Sequence, residues 1–182
     1  MATTRRKRGA RKKATAKSSE LREGYISENF TIREVGKSST AVREGIDNTP
    51  TEEVIQRATV LADNVLEKVR EHFGIPYSPG SWFRCEILEK LITRNGFGRW
   101  CANRNIPKDA DAWAEYFPRK SHPKGEAADI EVPGVSNQDL FDWIKENCEF
   151  DQLIMEGGPD GWIHVSCKKT GNRNEAFEIL NP

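Results

Sequence analysis

His122 and Asp129 are the two residues of this chain whose types and setting best suit a metal ion. They stand in the stretch Lys120-Ser121-His122-Pro123-Lys124-Gly125-Glu126-Ala127-Ala128-Asp129-Ile130. A neutral imidazole and a carboxylate are two of the three ligand types that zinc prefers. Their separation of seven is wrong for neighbours on one helix face, which lie three or four apart. It suits a turn that swings back into a strand, with Gly125 at the flexible turn position. Ala127 and Ala128 keep volume small beside the carboxylate. Ile130-Glu131-Val132 then alternates with period two and stops at Pro133-Gly134, which predicts a strand. A third ligand is available in Gly161-Trp162-Ile163-His164-Val165-Ser166-Cys167, an apolar, β-branched run with His164 at its middle. The chain has three histidines, and two of them fall in these strand contexts.

The elements that must position such a site follow from the same residues. Strands are predicted over 150–156 and 162–168, joined by the turn-rich linker Gly157-Gly158-Pro159-Asp160-Gly161. Pairing Glu156 with Trp162 places Ile154 opposite His164, with all four on one face of the pleat. Glu156 then lies diagonal to His164 and becomes the candidate general base. A slip of one residue turns it to the opposite face. Asp160, on the turn itself, is the alternative base.

On these residues the chain resembles the zinc D-Ala-D-Ala carboxypeptidase family, most closely its phage-encoded subgroup. The family motif S-x-H-x-x-G-x-A-x-D stands here as His122-x-x-Gly125-x-Ala127-x-Asp129, and the later W-x-H as Trp162-Ile163-His164. The resemblance runs over roughly residues 27–180 and includes Asn29-Phe30-Thr31, Gly45-Ile46-Asp47-Asn48-Thr49-Pro50 and Phe150-Asp151-Gln152-Leu153-Ile154. It implies a hedgehog-type peptidase fold, Zn²⁺ held by His122, Asp129 and His164, and peptidoglycan stem peptides as substrate. It also implies that Arg84, the match to the arginine of the family's I-T-S-G-Y-R-S segment, faces substrate. A guanidinium fork suits a peptide's terminal carboxylate. Many relatives carry their base three residues before the second histidine. That position here is Gly161, and Glu156 matches the glutamate of the phage subgroup instead. The family serine two residues before the first histidine is replaced by Lys120, which leaves that serine's role open. The resemblance does not choose between carboxypeptidase and endopeptidase cleavage.

Composition sets the frame. A chain of 182 residues allows one domain with a sizeable core. No stretch is long and apolar enough for a membrane span. The N-terminus has no apolar segment of a signal peptide. Together with the resemblance to the phage subgroup, this implies synthesis in a host cytoplasm and action on the cell wall after holin-type release or as part of a virion. The zero net charge conceals an asymmetry. Residues 1–20 hold eight of the 28 lysines and arginines and one of the 28 acids, leaving 20 basic and 27 acidic residues for 21–182. Residues 1–23 are read as a disordered basic tail, able to contact a polyanion. Cys85, Cys101, Cys148 and Cys167 form no C-x-x-C pair and read as reduced, packed thiols.

Along the chain, 24–48 reads as an irregular lead-in that docks Phe30, Ile32 and Val35. A helix follows, with Thr49 as N-cap, Pro50 at its first position and Glu52 closing a capping box. Val54, Ala58, Leu61, Val65, Val69 and Phe73 form its apolar face, Gly74 ends it, and His72 is a helix-end histidine outside the site. A helix over 85–94 is expected to bury Ile87, Leu88, Leu91 and Ile92. Residues 95–121 carry Phe97, Trp100, Trp113, Tyr116 and Phe117, either a local core or a wall of the substrate cleft, with a short helix over 109–116. Ser136 caps a further helix over 136–147 that buries Leu140, Phe141 and Ile144.

The expected fold is α+β: a single domain over 24–182, with a small, mostly antiparallel sheet carrying the zinc site and helices packed around it. The expected molecule is a monomeric zinc metallopeptidase. The competing reading is a virion or nucleic-acid-associated structural protein whose working part is the basic tail and whose peptidase-like body is inactive. A third is zinc binding without catalysis.

Overall fold

A computed structural model describes residues 22–180. The tail expected over 1–23, with its polyanion contact, falls on residues outside the described ones except for Arg22 and Glu23.

Four strands form one sheet: β1 (Ala127–Ile130), β2 (Gln152–Glu156), β3 (Trp162–Ser166) and β4 (Glu175–Ile179). Their order is β1-β3-β2-β4. β3 runs antiparallel to both of its neighbours, and β4 lies parallel to β2 at the edge. The period of two divides the sheet's residues between its faces. Ala128, Ile130, Leu153, Met155, Ile163 and Val165 join the main core. Their alternates, Asp129, Gln152, Ile154, Glu156, Trp162 and His164, line a cleft on the opposite face.

The core face is covered by helices. α1 (Ile32–Gly36) and α2 (Ser39–Glu44) replace the irregular lead-in, each with a side-chain cap, from Thr31 and Ser38. α3 (Glu52–Leu61) continues through a π-helical turn at Ala62–Leu66 into α4 (Glu67–Phe73). Its apolar positions Val54, Ala58, Leu61, Val65 and Val69 are buried as the spacing predicts. The start differs: Thr51, not Thr49, accepts the Val54 N–H, at 3.4 Å. Thr49 is occupied elsewhere, because its amide and hydroxyl both donate to Asp47 Oδ1 at 2.9 and 2.7 Å, a side-chain turn of the kind aspartate favours. α8 (Asn137–Asn147) is capped by Ser136 and buries Leu140, Phe141 and Ile144.

α5 (Glu86–Ile92) departs from its expected orientation. Leu88 is buried, whereas Ile87, Leu91 and Ile92 are 69%, 44% and 43% exposed. The buried partner of Leu88 is Glu89, 1% exposed. The physical reason lies in the site, where Arg84 meets that carboxylate.

The aromatic segment forms α6 (Arg94–Arg104) and α7 (Ala110–Tyr116). Phe97, Cys101, Ala112, Trp113 and Tyr116 make a second apolar cluster of their own, with Trp100 and Phe117 packed on it. Trp113 and Phe117 stack at 5.5 Å, and the Trp113 indole donates to Glu86 at 2.8 Å. The segment is thus a local core that also presents Asn95, Gly96, Arg99 and Tyr116 to the cleft. The four cysteines are free thiols. Among the described residues no helix is long and apolar enough to cross a membrane.

Candidate metal centre

His122 sits on a single 3-10 turn, His122–Lys124, closed by Gly125 at φ 77°. A side chain at Gly125 has no room, since a Cβ there would lie 2.7 Å from the Val54 carbonyl oxygen. The turn is clamped by Trp82, which is wholly buried. The Trp82 indole donates to the Gly125 carbonyl at 3.1 Å, and the Trp82 carbonyl lies 2.6 Å from His122 Nδ1. That carbonyl can only accept, so Nδ1 carries the hydrogen and Nε2 turns its lone pair toward the cleft.

Asp129 is held from both edges of β1. On one side it stands directly opposite His164 on β3. On the other, its N–H donates to the Ser81 carbonyl at 2.8 Å, and its carbonyl accepts from Gly80 N–H at 2.9 Å. His164 lies between Asp129 and Ile154 across the sheet, and Glu156 pairs with Trp162. This is the hairpin register expected from the length of the 157–161 turn.

The three side chains converge. His122 Nε2 is 3.2 Å from His164 Nδ1 and 3.2 Å from Asp129 Oδ1. His164 Nδ1 is 3.0 Å from the same oxygen. Ligand atoms at about 2.0–2.1 Å from a tetrahedral ion are separated by roughly 3.3 Å. The observed triangle matches that spacing closely. These residues therefore form a group that can hold a metal ion, with one face of the triangle open to the cleft. Burial pushes the Asp129 carboxyl up, but the adjoining imidazoles, by charge and hydrogen bonding, hold it well below the usual carboxylate range. It is a ready anionic ligand.

Arg84 is drawn into this centre. Its Nε donates to Ser81 Oγ at 2.9 Å and Nη2 to Asp129 Oδ2, while Nη1 stands 3.7 Å from Glu89 Oε2. The backbone bearing it is pinned by buried Asn48. That side chain donates to the carbonyls of Gly36 and Phe83 and accepts from Cys85 N–H, all within 3.0 Å. Glu89 Oε2 has no hydrogen-bond partner among the described residues, so Arg84 is its nearest compensation.

Glu156 is half-buried at the end of β2 and lines the same cleft. Burial raises its pKa, opposed chiefly by His164 and reinforced by Asp129. Asp160, the alternative base, is exposed on the 3-10 turn Gly158–Asp160 and does not line the cleft. Gly161 cannot be replaced by an acid at all: a Cβ there would lie 1.7 Å from the Glu156 carbonyl oxygen. His72 lies outside the site, stacked on Trp143 at 4.4 Å.

Glu89, Ser81, Asn48 and the Trp82 carbonyl were not legible as site components. A glutamate within Ile87-Leu88-Glu89-Lys90-Leu91 reads as a solvent position, and a carbonyl has no sequence signature. The cleft lined by Arg84, Glu89, His122, Asp129, Glu156 and His164 encloses about 510 Å³. No protein-family model matches the chain, and a search of curated proteins finds no match either.

Proposed function

We propose that this protein is a zinc-dependent peptidase that hydrolyses peptidoglycan stem peptides, of D-Ala-D-Ala carboxypeptidase or endopeptidase type. The observation that carries the reading is the triangle of His122 Nε2, His164 Nδ1 and Asp129 Oδ1, with edges of 3.0–3.2 Å. Two imidazoles and one carboxylate make a zinc donor set with a position to spare. Bound there, zinc supplies Lewis acidity toward a carbonyl and acidifies water.

The chain's own groups account for the remaining chemistry. Glu156, on the cleft face of β2, takes the proton of the attacking water and delivers it to the leaving amine as the C–N bond breaks. Its raised pKa favours that return step, because a carboxyl that holds its proton more firmly is present as the acid at higher pH. Arg84 fixes Asp129 through Oδ2, leaving Oδ1 for the ion. It also lines the cleft, where its charge stabilises a developing oxyanion. The Trp82 carbonyl fixes the His122 tautomer. A phage lysis enzyme or virion-associated wall-degrading protein is the setting that fits this activity.

The test is digestion of purified peptidoglycan by zinc-loaded protein, with the products read by mass spectrometry. Loss of a terminal alanine identifies a carboxypeptidase, and cleavage within the stem an endopeptidase. Glu156→Gln retains zinc and lowers turnover by at least about 100-fold, the scale of a lost general base. Intact muropeptides after exhaustive digestion by the wild-type chain would overturn the proposal.

A further inference from the structure

We infer that Arg99 and Lys120 form a second anion subsite in the cleft, which selects peptides carrying a carboxylate separate from the bond that is cut. The inference takes the peptide class of ligand from the proposed function. The subsite itself rests on the cleft's charges.

Four cations line the cleft, Arg84, Arg99, Arg119 and Lys120. Two of them are committed. Arg84 is held at the metal centre by Ser81, Asp129 and Glu89, where the proposed function already employs its charge. Arg119 is paired with Glu115 at 2.8 Å and also donates to that residue's carbonyl. Arg99 and Lys120 have no ion-pair partner among the described residues. Lys120 Nζ rests 4.7 Å from the centre of the Tyr116 ring. That contact holds the ammonium over the wall without neutralising it.

The contrast with the rest of the molecule gives these charges their meaning. Residues 21–182 hold 27 acids against 20 bases, so the body repels anionic chains. The cleft sets four cations against the three carboxylates of Glu89, Asp129 and Glu156, a net of one positive charge before any divalent ion is added. A concave site with a positive balance on an acidic body favours anionic ligands. Both free cations come from the α6–α7 segment or its exit, and they line the same cleft as Glu156 and the triangle. A peptide laid along the cleft with its scissile carbonyl at the triangle therefore passes them with a neighbouring residue.

The test uses two synthetic stem peptides that differ only in whether one internal carboxylate is free or amidated. Dissociation constants are measured by calorimetry on the full-length, zinc-loaded Glu156→Gln chain, so that the ligand is not consumed. Turnover of both peptides is measured on the wild type. The expected result is tighter binding of the acid by roughly fivefold, the scale of one partly exposed charge pair. The preference shrinks in 1 M salt, at a Debye length of about 3 Å. It falls to near unity in Arg99→Gln/Lys120→Gln and persists in Lys145→Gln, outside the cleft. Equal binding of the two peptides alongside wild-type turnover overturns the subsite and leaves the peptidase reading standing. A salt-sensitive preference without turnover does the reverse. Equal binding and no turnover remove both.

Discussion

Removing the Arg84 guanidinium should destabilise the protein through a residue that is not a metal ligand. Glu89 is 1% exposed, its Oε2 lacks a hydrogen bond, and its nearest cation is Arg84 at 3.7 Å. Arg84→Met keeps the length and apolar stem but strands that carboxylate. A stranded buried charge costs about 3–5 kcal/mol. Arg84→Met should therefore lose at least about 3 kcal/mol at pH 7. Urea unfolding of chelator-treated protein, followed by the fluorescence of its five tryptophans, reads this as a midpoint shift of roughly 1–2 M at pH 7. Arg84→Met/Glu89→Gln should recover most of the loss. A single variant as stable as the wild type, or a double variant no better than the single, would refute the reasoning.

Other consequences are simpler to measure. His122→Ala and Asp129→Ala should each abolish stoichiometric zinc binding in equilibrium dialysis, whereas Arg84→Met keeps the stoichiometry and weakens affinity about 10- to 100-fold, as for a residue that orients a ligand; full zinc content in both ligand variants shows the site is elsewhere. Gly161→Ala, whose Cβ would lie 1.7 Å from the Glu156 carbonyl oxygen, should cost about 3 kcal/mol and lower Tm by roughly 6–12 °C. Gly80→Ala, at an ordinary 3.7 Å from the Asp129 carbonyl, is the control and should stay within about 2 °C; equal shifts in the two contradict the steric account. Asp151, paired with Arg173 and Lys168 at 2.7 and 2.6 Å, has its carboxyl held down to about 2, chiefly by the Arg173 hydrogen bonds. Its pairing stabilises the fold above the ordinary carboxyl value of 3.8 and is lost as pH falls toward 2, by about 1–2 kcal/mol after allowance for the exposed partners. Asp151→Asn should flatten that part of the stability profile, and an unchanged acid limb counts against it.

What could be read from the residues, and what could not, divides along physical lines. His122, Asp129 and His164 were legible because few residue types ligate metals and strand spacing restricts where they point. The Glu156–Trp162 register was legible because a short turn leaves few ways to pair two strands that must bury alternate residues. α8 announced itself through Ser136 and one apolar stripe. The orientation of α5 was hidden, because the apolar residues around Glu89 suggest the opposite face inward. The burial of Glu89 with Arg84 3.7 Å away is a tertiary pairing that the local pattern does not announce. α6 was hidden too, since Gly96, Gly98 and its charged positions dilute any helical periodicity. The start of α3 moved by two residues because Asp47 competes for Thr49, a contest between two local hydrogen-bonding options that residue types alone do not decide. β4, mostly exposed at the sheet's edge, carries little alternation to reveal it.

The α6–α7 segment has an apolar nucleus of its own, separate from the one beneath the sheet. Alterations that reshape the wall facing the ligand are thus absorbed by five or so neighbouring side chains and need not propagate to the imidazoles or their carboxylate. If the proposed function holds, selection of the ligand and the chemistry performed on it rest on independent foundations, and a lineage carrying this architecture can retune the first while the second stays as it was.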